Sequence, residues 1–221
     1  MKKIKIDKKA IIVANGKKPS KKVFNQLLKQ GYSTIVAADG GANSLHEMGI
    51  TPNFIIGDFD SLSSSTLKKI KPGVTELIKI SRQSDTDVEK SIKYLIKKKF
   101  THIMLLGVDG NRFDHLLGNL SLGLKYLDKI IINIIVGDSA LSFLGSSENI
   151  STKKGEIVSV FGFSERGNLT SDGLKYSLEV LNLTFGNQDS ISNIATKSEI
   201  KLKIDSGKFI LVRSIKTFFH K

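Results

Sequence analysis

TIVAADGGANSLHEMGITPNFIIGDFDS, residues 34–61, reads as strand, turn, helix and strand in succession, and it sets the pattern for the first two-thirds of the chain. Each apolar run in it is β-branched, too short for a buried helix, and closed by Asp and Gly. Runs of this kind are strands buried on both faces. Working outward, IIVANG at 11–16, HIMLLGVDG at 102–110 and IINIIVGD at 131–138 have the same form. Helical spacing links them: Val23, Phe24, Leu27 and Leu28 after Pro19-Ser20; Ala42, Leu45 and Met48; Val88, Ile92, Leu95 and Ile96; Leu116, Leu117, Leu120, Leu124 and Leu127. Strands alternating with helices predict an α/β fold, a mostly parallel sheet with flanking helices. Ligands of such sheets bind beyond the carboxyl ends of the strands, which is where the acids and glycines of this chain collect. From about residue 144 the period changes to two, in GEIVSVFGF (155–163), SLEVLNLTFG (177–186), SEIKLKID (198–205) and GKFILVR (207–213). This predicts a smaller C-terminal antiparallel β-sandwich, with the domains divided as 1–143 and 144–221.

Composition narrows the function classes. The 221 residues are 40% hydrophobic, enough for one sizeable core or two modest ones. There is no cysteine, which excludes disulfides and thiolate metal sites. The basic start MKKIKIDKKA leads into an apolar run too short for a signal-peptide core, and no stretch approaches the roughly 20 apolar residues of a membrane span. A cytoplasmic protein with no membrane partner is expected. The net charge of +13 comes almost wholly from lysines scattered in pairs, without aromatic interleaving. It is read as a solubility feature, and nucleic acid is not expected as the main partner.

Four clusters carry chemistry. In GDFDS (57–61), Asp58 and Asp60 stand two apart after a strand and can converge on a hard cation; a solvated turn explains the same residues. Asp39 and Gly40 open the helix at 41, where backbone amides can face an anion; a tight turn needs the same glycines. In RQSDTDVEK (82–90), Gln83, Asp85 and Asp87 stand beside Thr86, which with Glu89 forms a capping-box pattern. Asp87 is the candidate third acid, and Asp85 the weaker one. In GVDGNRFDH (107–115), Arg112 suits phosphate oxygens and Asp114 can hold it in position, though an ordinary Arg–Asp pair at a helix start has the same pattern. His115 is left as a surface residue. No P-loop or kinase glycine loop is present, so a phosphate cradle here must draw on several strand ends.

In order, ADGGAN (38–43), GDFDS (57–61), Gln83 with Thr86-Asp87, Gly107 with GNRFDH (110–115), GLKYSL (173–178) and SISN (190–193) resemble the thiamine pyrophosphokinase family over nearly the whole chain. The resemblance implies transfer of the β,γ-diphosphate of ATP to the hydroxyl of thiamine, giving thiamine diphosphate and AMP. It implies a homodimer with active sites at the subunit interface. It makes Asp58, Asp60 and Asp87 the catalytic acids that hold Mg2+, with ATP as co-substrate. Asp39, Gly40, Gln83, Thr86, Arg112 and Asp114 then bind ATP and its phosphates. Tyr176, Ser190, Ser192 and Asn193 then line the thiamine pocket, Tyr176 standing where some relatives carry tryptophan. The residues alone leave two other readings open: a metal-dependent nucleotide phosphohydrolase using the same acids, and a basic nucleic-acid-binding module.

Overall fold

The computed structural model describes residues 7–181 and 183–219. It resolves into two compact units that divide at Ile134 and Ile135. The sequence texture puts the change at 143/144. The strand Ser139–Leu144, an apolar run by composition, pairs antiparallel with Phe209–Ser214 and so falls with the C-terminal unit.

The first unit is built on β1 (Lys9–Val13), β2 (Tyr32–Ala38), β3 (Phe54–Gly57), β4 (Glu76–Lys79), β5 (His102–Leu106) and β6 (Ile131–Val136). They hydrogen-bond in the order β6-β5-β1-β2-β3-β4, every pair parallel. The connecting helices are α1 (Lys21–Lys29), α2 (Gly41–Glu47), α3 (Ser64–Lys69), α4 (Asp87–Lys97) and α5 (Phe113–Lys125). Four central strands are apolar because both their faces are covered; Ile11, Ile12, Val36, Ile56, Met104 and Leu105 have no exposed surface. Helices α1, α2 and α4 lie against β1–β3. Ser20, Ser63 and Thr86 start α1, α3 and α4, each accepting a bond from the backbone N–H three residues on.

The chain runs outward from β1 through β4, then returns to the other side of β1 for β5 and β6. That reversal opens a crevice at the strand ends around β1. Gly41 at its edge is held by backbone packing: a Cβ there would sit 2.0 Å from the Val13 carbonyl oxygen. Gly41→Ala is expected to lower stability by about 1–3 kcal/mol in urea denaturation, because backbone cannot yield as a side chain can.

The leucine spacing read over 116–127 falls on a helix; in it Asn119, Leu122 and Gly123 are buried, Leu116, Leu120 and Leu124 half-buried, and Leu117 52% exposed. Leucines lie on several sides of this helix, so periodicity alone does not choose the inner one. The capping box is half formed. Thr86 accepts from the Glu89 N–H, but the Glu89 carboxylate bonds Lys125 Nζ and Tyr126 Oη, each at 2.7 Å.

The second unit has two antiparallel sheets. One runs β12 (Ser190–Ile194), β9 (Ile157–Gly162), β14 (Phe209–Ser214), β7 (Ser139–Leu144); the other runs β11 (Glu179–Leu181), β10 (Asn168–Asp172), β13 (Glu199–Ser206), β8 (Glu148–Ser151). Their inner faces share one core, with Val158, Val160, Phe209 and Leu211 of the first sheet against Leu169, Ile200, Leu202 and Ile204 of the second. The two-residue alternation of β13 places Ile200, Leu202 and Ile204 inward, as a sandwich requires. A short α6 (Ile215–Phe218) follows β14. Among the described residues no helix is long and apolar enough to cross a membrane.

Candidate active site

Parallel pairing brings the acids together. Ala38 of β2 stands beside Ile56 of β3, and the Asp39 N–H donates to the Ile56 carbonyl at 2.9 Å, so Asp39 and the GDFDS loop leave the sheet side by side. Helix α4 adds Asp87 from its first turn, where the helix dipole favours a negative charge. One carboxylate oxygen each of Asp39, Asp58 and Asp87 then lies within 4.8 Å of the others. Gly57 permits this approach, since a Cβ on it would stand 2.7 Å from Asp39 Cβ and 3.2 Å from Asp87 Oδ1.

The backbone is strained at this point. Two of the four described non-glycine residues with positive φ stand here, Asp39 (41°) and Phe59 (73°); a third, Ser192 (56°), lies on β12 of the second unit, beside the cavity-lining Ser190 and Asn193 but not itself lining that cavity. For a bulky residue such as Phe59, this conformation costs roughly 1–3 kcal/mol.

The aspartates differ in environment. Asp39 is 2% exposed; burial raises its pKa, the Ser61 N–H and hydroxyl act against that, and the nearby Asp60 and Asp87 carboxyls add to it. Its Oδ2 accepts from the Ser61 N–H at 3.1 Å, while Oδ1 is buried with no hydrogen-bond partner. Asp58 is held below its ordinary pKa, first by the Asp60 N–H and then by the Gln83 amide and the Lys90 charge. The Gln83 amide donates to Asp58 Oδ2 at 3.3 Å. Asp60 is exposed, outside the group of three, and accepts from the Ser61 hydroxyl at 2.9 Å. A carboxylate cluster containing a buried, unpartnered oxygen fits a hard divalent cation, which takes oxygen ligands.

The remaining residues expected to bind nucleotide are placed as follows. Gly40 lies against the amide of the exposed Asn15 side chain, 2.4 Å from where its Cβ would be, so a larger residue there would have to displace that side chain. Thr86 spends its hydroxyl on the α4 cap. Asp85 pairs with Arg82 and, at 2.8 Å, with Lys93, which accounts for it structurally. Arg112 and Asp114 form a two-point pair of 2.9 and 2.6 Å, both exposed, in which the guanidinium lowers the Asp114 pKa to about 2. A cavity of about 500 Å³ lined by His46, Ile50, Thr66, Lys69 and Thr75 contains none of the expected site residues.

In the second unit a cavity of about 260 Å³ is lined by Tyr176, Leu178, Gln188, Asp189, Ser190 and Asn193 among others. Asn193 is buried, and its amide accepts from the Tyr176 N–H (3.1 Å) while donating to the Tyr176 carbonyl (2.7 Å) and the Ser190 hydroxyl (3.2 Å). It therefore fastens the 173–178 loop to β12, leaving the Tyr176 ring 60% exposed. The irregular register between Ser190 and Asn193 accommodates Ser192, whose N–H donates to the Ser159 hydroxyl. Sequence reasoning missed Lys90, buried beside Asp87; the signal was its place three residues after Asp87 on one helix.

Comparison with known proteins places both halves in one family. A family model described as thiamin pyrophosphokinase, catalytic domain, matches residues 24–139, and one described as thiamin pyrophosphokinase, vitamin B1 binding domain, matches 147–209. Thiamin pyrophosphokinase 1 of Caenorhabditis elegans is 29% identical over 192 residues, covering 78% of this chain and 75% of its own. Thiamine pyrophosphokinase of Bacillus subtilis is 28% identical over 184 residues, covering 81% and 86%. The crystal structure of thiamine pyrophosphokinase from Bacillus subtilis superposes with a TM-score of 0.78 at 26% identity, covering 94% of this chain and 99% of that one. That of yeast thiamin pyrophosphokinase reaches 0.82 at 17% identity, covering 97% and 89%, a likeness of fold. With matched residues spanning both units and an aspartate cluster inside the catalytic match, this chain belongs to the thiamin pyrophosphokinase family.

Proposed function

We propose that the chain is a thiamine diphosphokinase that uses the Asp39, Asp58 and Asp87 cluster to hold a divalent cation, Mg2+ by preference, against the phosphates of ATP. The supporting observation is the convergence of those three carboxylates within 4.8 Å beside the unpartnered Asp39 Oδ1. Asp60, exposed at the loop's end, completes the acidic set from the phosphate side. When bound, the cation supplies neutralisation of phosphate oxygen charge. The first unit serves as the ATP- and Mg2+-binding catalytic domain and the second as the thiamine-binding domain.

In the reaction the hydroxyl oxygen of thiamine bonds to the β-phosphorus of ATP, its proton passes to solvent, the bond from that phosphorus to the AMP oxygen breaks, and AMP leaves with its electron pair. Positioning supplies most of the rate in such transfers. Arg112, steered by Asp114, takes up charge on the departing AMP side; Gln83 orients Asp58; Gly40 and Thr86 shape the turn and cap beside the phosphates. Tyr176 offers an exposed ring for stacking, and Ser190, Ser192 and Asn193 form the floor of the thiamine pocket. The protein acts in the cytoplasm as a homodimer with active sites at the subunit interface; exposed Phe113 (69%) and Leu117 (52%), one turn apart on α5, support burial against a second copy.

The test is AMP formation from ATP and Mg2+ with and without thiamine. AMP that appears only with thiamine, in step with thiamine diphosphate, is expected. Nucleotide hydrolysis without thiamine would sink this reading in favour of the phosphohydrolase. Absence of turnover together with salt-sensitive binding to nucleic acid would favour the basic module.

A further inference from the structure

Lys90 is the one lysine among the described residues that is buried, with 3% of its surface exposed. Its position is doubly unfavourable for a cation. It lies in the first helical turns of α4, where the dipole repels positive charge, and it is withdrawn from water. Something must offset both costs, and the side chain's own bond shows what: Nζ stands 2.7 Å from Asp87 Oδ1.

The converse is equally informative. Three carboxylates within 4.8 Å repel one another, and nothing else among the described residues places a buried cation against them. Lys90 occupies one oxygen of Asp87 and leaves the other available to a ligand. Counting charges, the three converging carboxylates, one ammonium and one divalent ion sum to zero, so with Lys90 in place a polyphosphate meets a site one negative charge lighter, Asp60 being the acid left over.

Resting on the reading of the aspartates as a cation and phosphate site, we propose that Lys90 is a positioning residue for diphosphate transfer. It fixes the Asp87 carboxylate in the cluster and cancels one of its charges. An ordinary helix pair at this spacing would contribute only packing and a few tenths of a kcal/mol.

The chain has no native cysteine, so Lys90→Cys creates a single thiol. Alkylation with 2-bromoethylamine forms a carbon–sulfur bond with loss of bromide and rebuilds an ammonium at nearly the same reach. Iodoacetamide gives a neutral adduct. Two quantities are read on each form: Mn2+ affinity of the nucleotide-free protein by electron paramagnetic resonance, and thiamine-dependent AMP formation. Lys90→Cys is expected to bind Mn2+ about 10–100-fold more weakly and to lose about a hundredfold in kcat, with KM for thiamine unchanged. Aminoethylation restores both; the neutral adduct restores neither. Lys90→Met, which keeps the volume and the fold, carries the same losses. Equal rescue by both adducts, or wild-type Mn2+ affinity and kcat in folded Lys90→Met, overturns the proposal. A wild-type protein that binds no Mn2+ overturns the underlying reading as well.

Discussion

Asp58→Asn is expected to lower thiamine-dependent AMP formation by roughly 10²–10³-fold, while the urea midpoint of the metal-free protein stays within about 0.5 kcal/mol of wild type. The substitution keeps shape and one acceptor oxygen. The Asp60 N–H donates to Oδ1 at 3.4 Å and the Gln83 amide to Oδ2 at 3.3 Å, so Asn keeps the acceptor for the first and turns its NH2 toward the second, where the Gln83 side chain can present its carbonyl oxygen instead; both contacts are long and exposed, and little is lost. What disappears is a full negative charge at a point where three carboxylates converge. Removing it also relieves repulsion, so stability and activity move independently or in opposite directions. A folded variant that retains more than a tenth of wild-type turnover would show that Asp58 does not hold the reacting phosphates.

The second large effect concerns stability. Arg213 on β14 and Glu156 before β9 form an ion pair with side chains 8% and 1% exposed, joined at 2.6 and 3.0 Å. Arg213 also donates to the Ser151 carbonyl, and Glu156 accepts from the Lys153 N–H. Arg213→Ala strands a buried carboxylate and is expected to cost about 3–5 kcal/mol, a large part of a typical stability of 5–15 kcal/mol. Replacing both partners by apolar residues of similar volume should recover most of the loss, since neither is then left unpaired. Burial pushes the Glu156 pKa up, but the Arg213 guanidinium, the Thr217 hydroxyl and the Lys153 N–H outweigh it, and the net shift is downward from 4.5. A carboxyl lowered in the folded state stabilises above its ordinary pKa and ceases to do so as pH falls through the lowered value. The pair's contribution should therefore be present at neutral pH and fade below about pH 4.5, and the doubly apolar variant should lack that acid-sensitive component. Urea midpoints at both pH values check this; an unchanged midpoint in Arg213→Ala would contradict it.

Much of the fold was legible because the strands buried on both faces are written as uninterrupted apolar runs ending in Gly or Asp. Helix α3 and strand β4 were not legible. Helix α3 has six residues from a serine-rich stretch that reads as a turn, and it forms because the Ser63 hydroxyl caps the Thr66 N–H at 3.2 Å. Strand β4, ELIK, has no fully buried residue and exists through its parallel pairing with β3. Of the site, the acids were visible one by one; the buried lysine among them was not, because lysine on a helix reads as a solvated face.

The sequence by itself determined the strand and helix periods, the change to two-residue alternation near residue 144, the collection of acids at strand ends, and the ordered motifs shared with one family. Tertiary structure alone decided which acids meet. Parallel register sets Ala38 beside Ile56, and the missing Cβ of Gly57 lets Asp39 and Asp87 close over the backbone, whereas Asp60, nearer in sequence to Asp58, stands outside the group of three. Tertiary structure likewise assigned Asn193 to holding the Tyr176 loop. The reason is physical: spacing along a chain fixes the face on which a side chain emerges, while distances between side chains on different elements are fixed only when hydrogen-bonded register and packing join those elements.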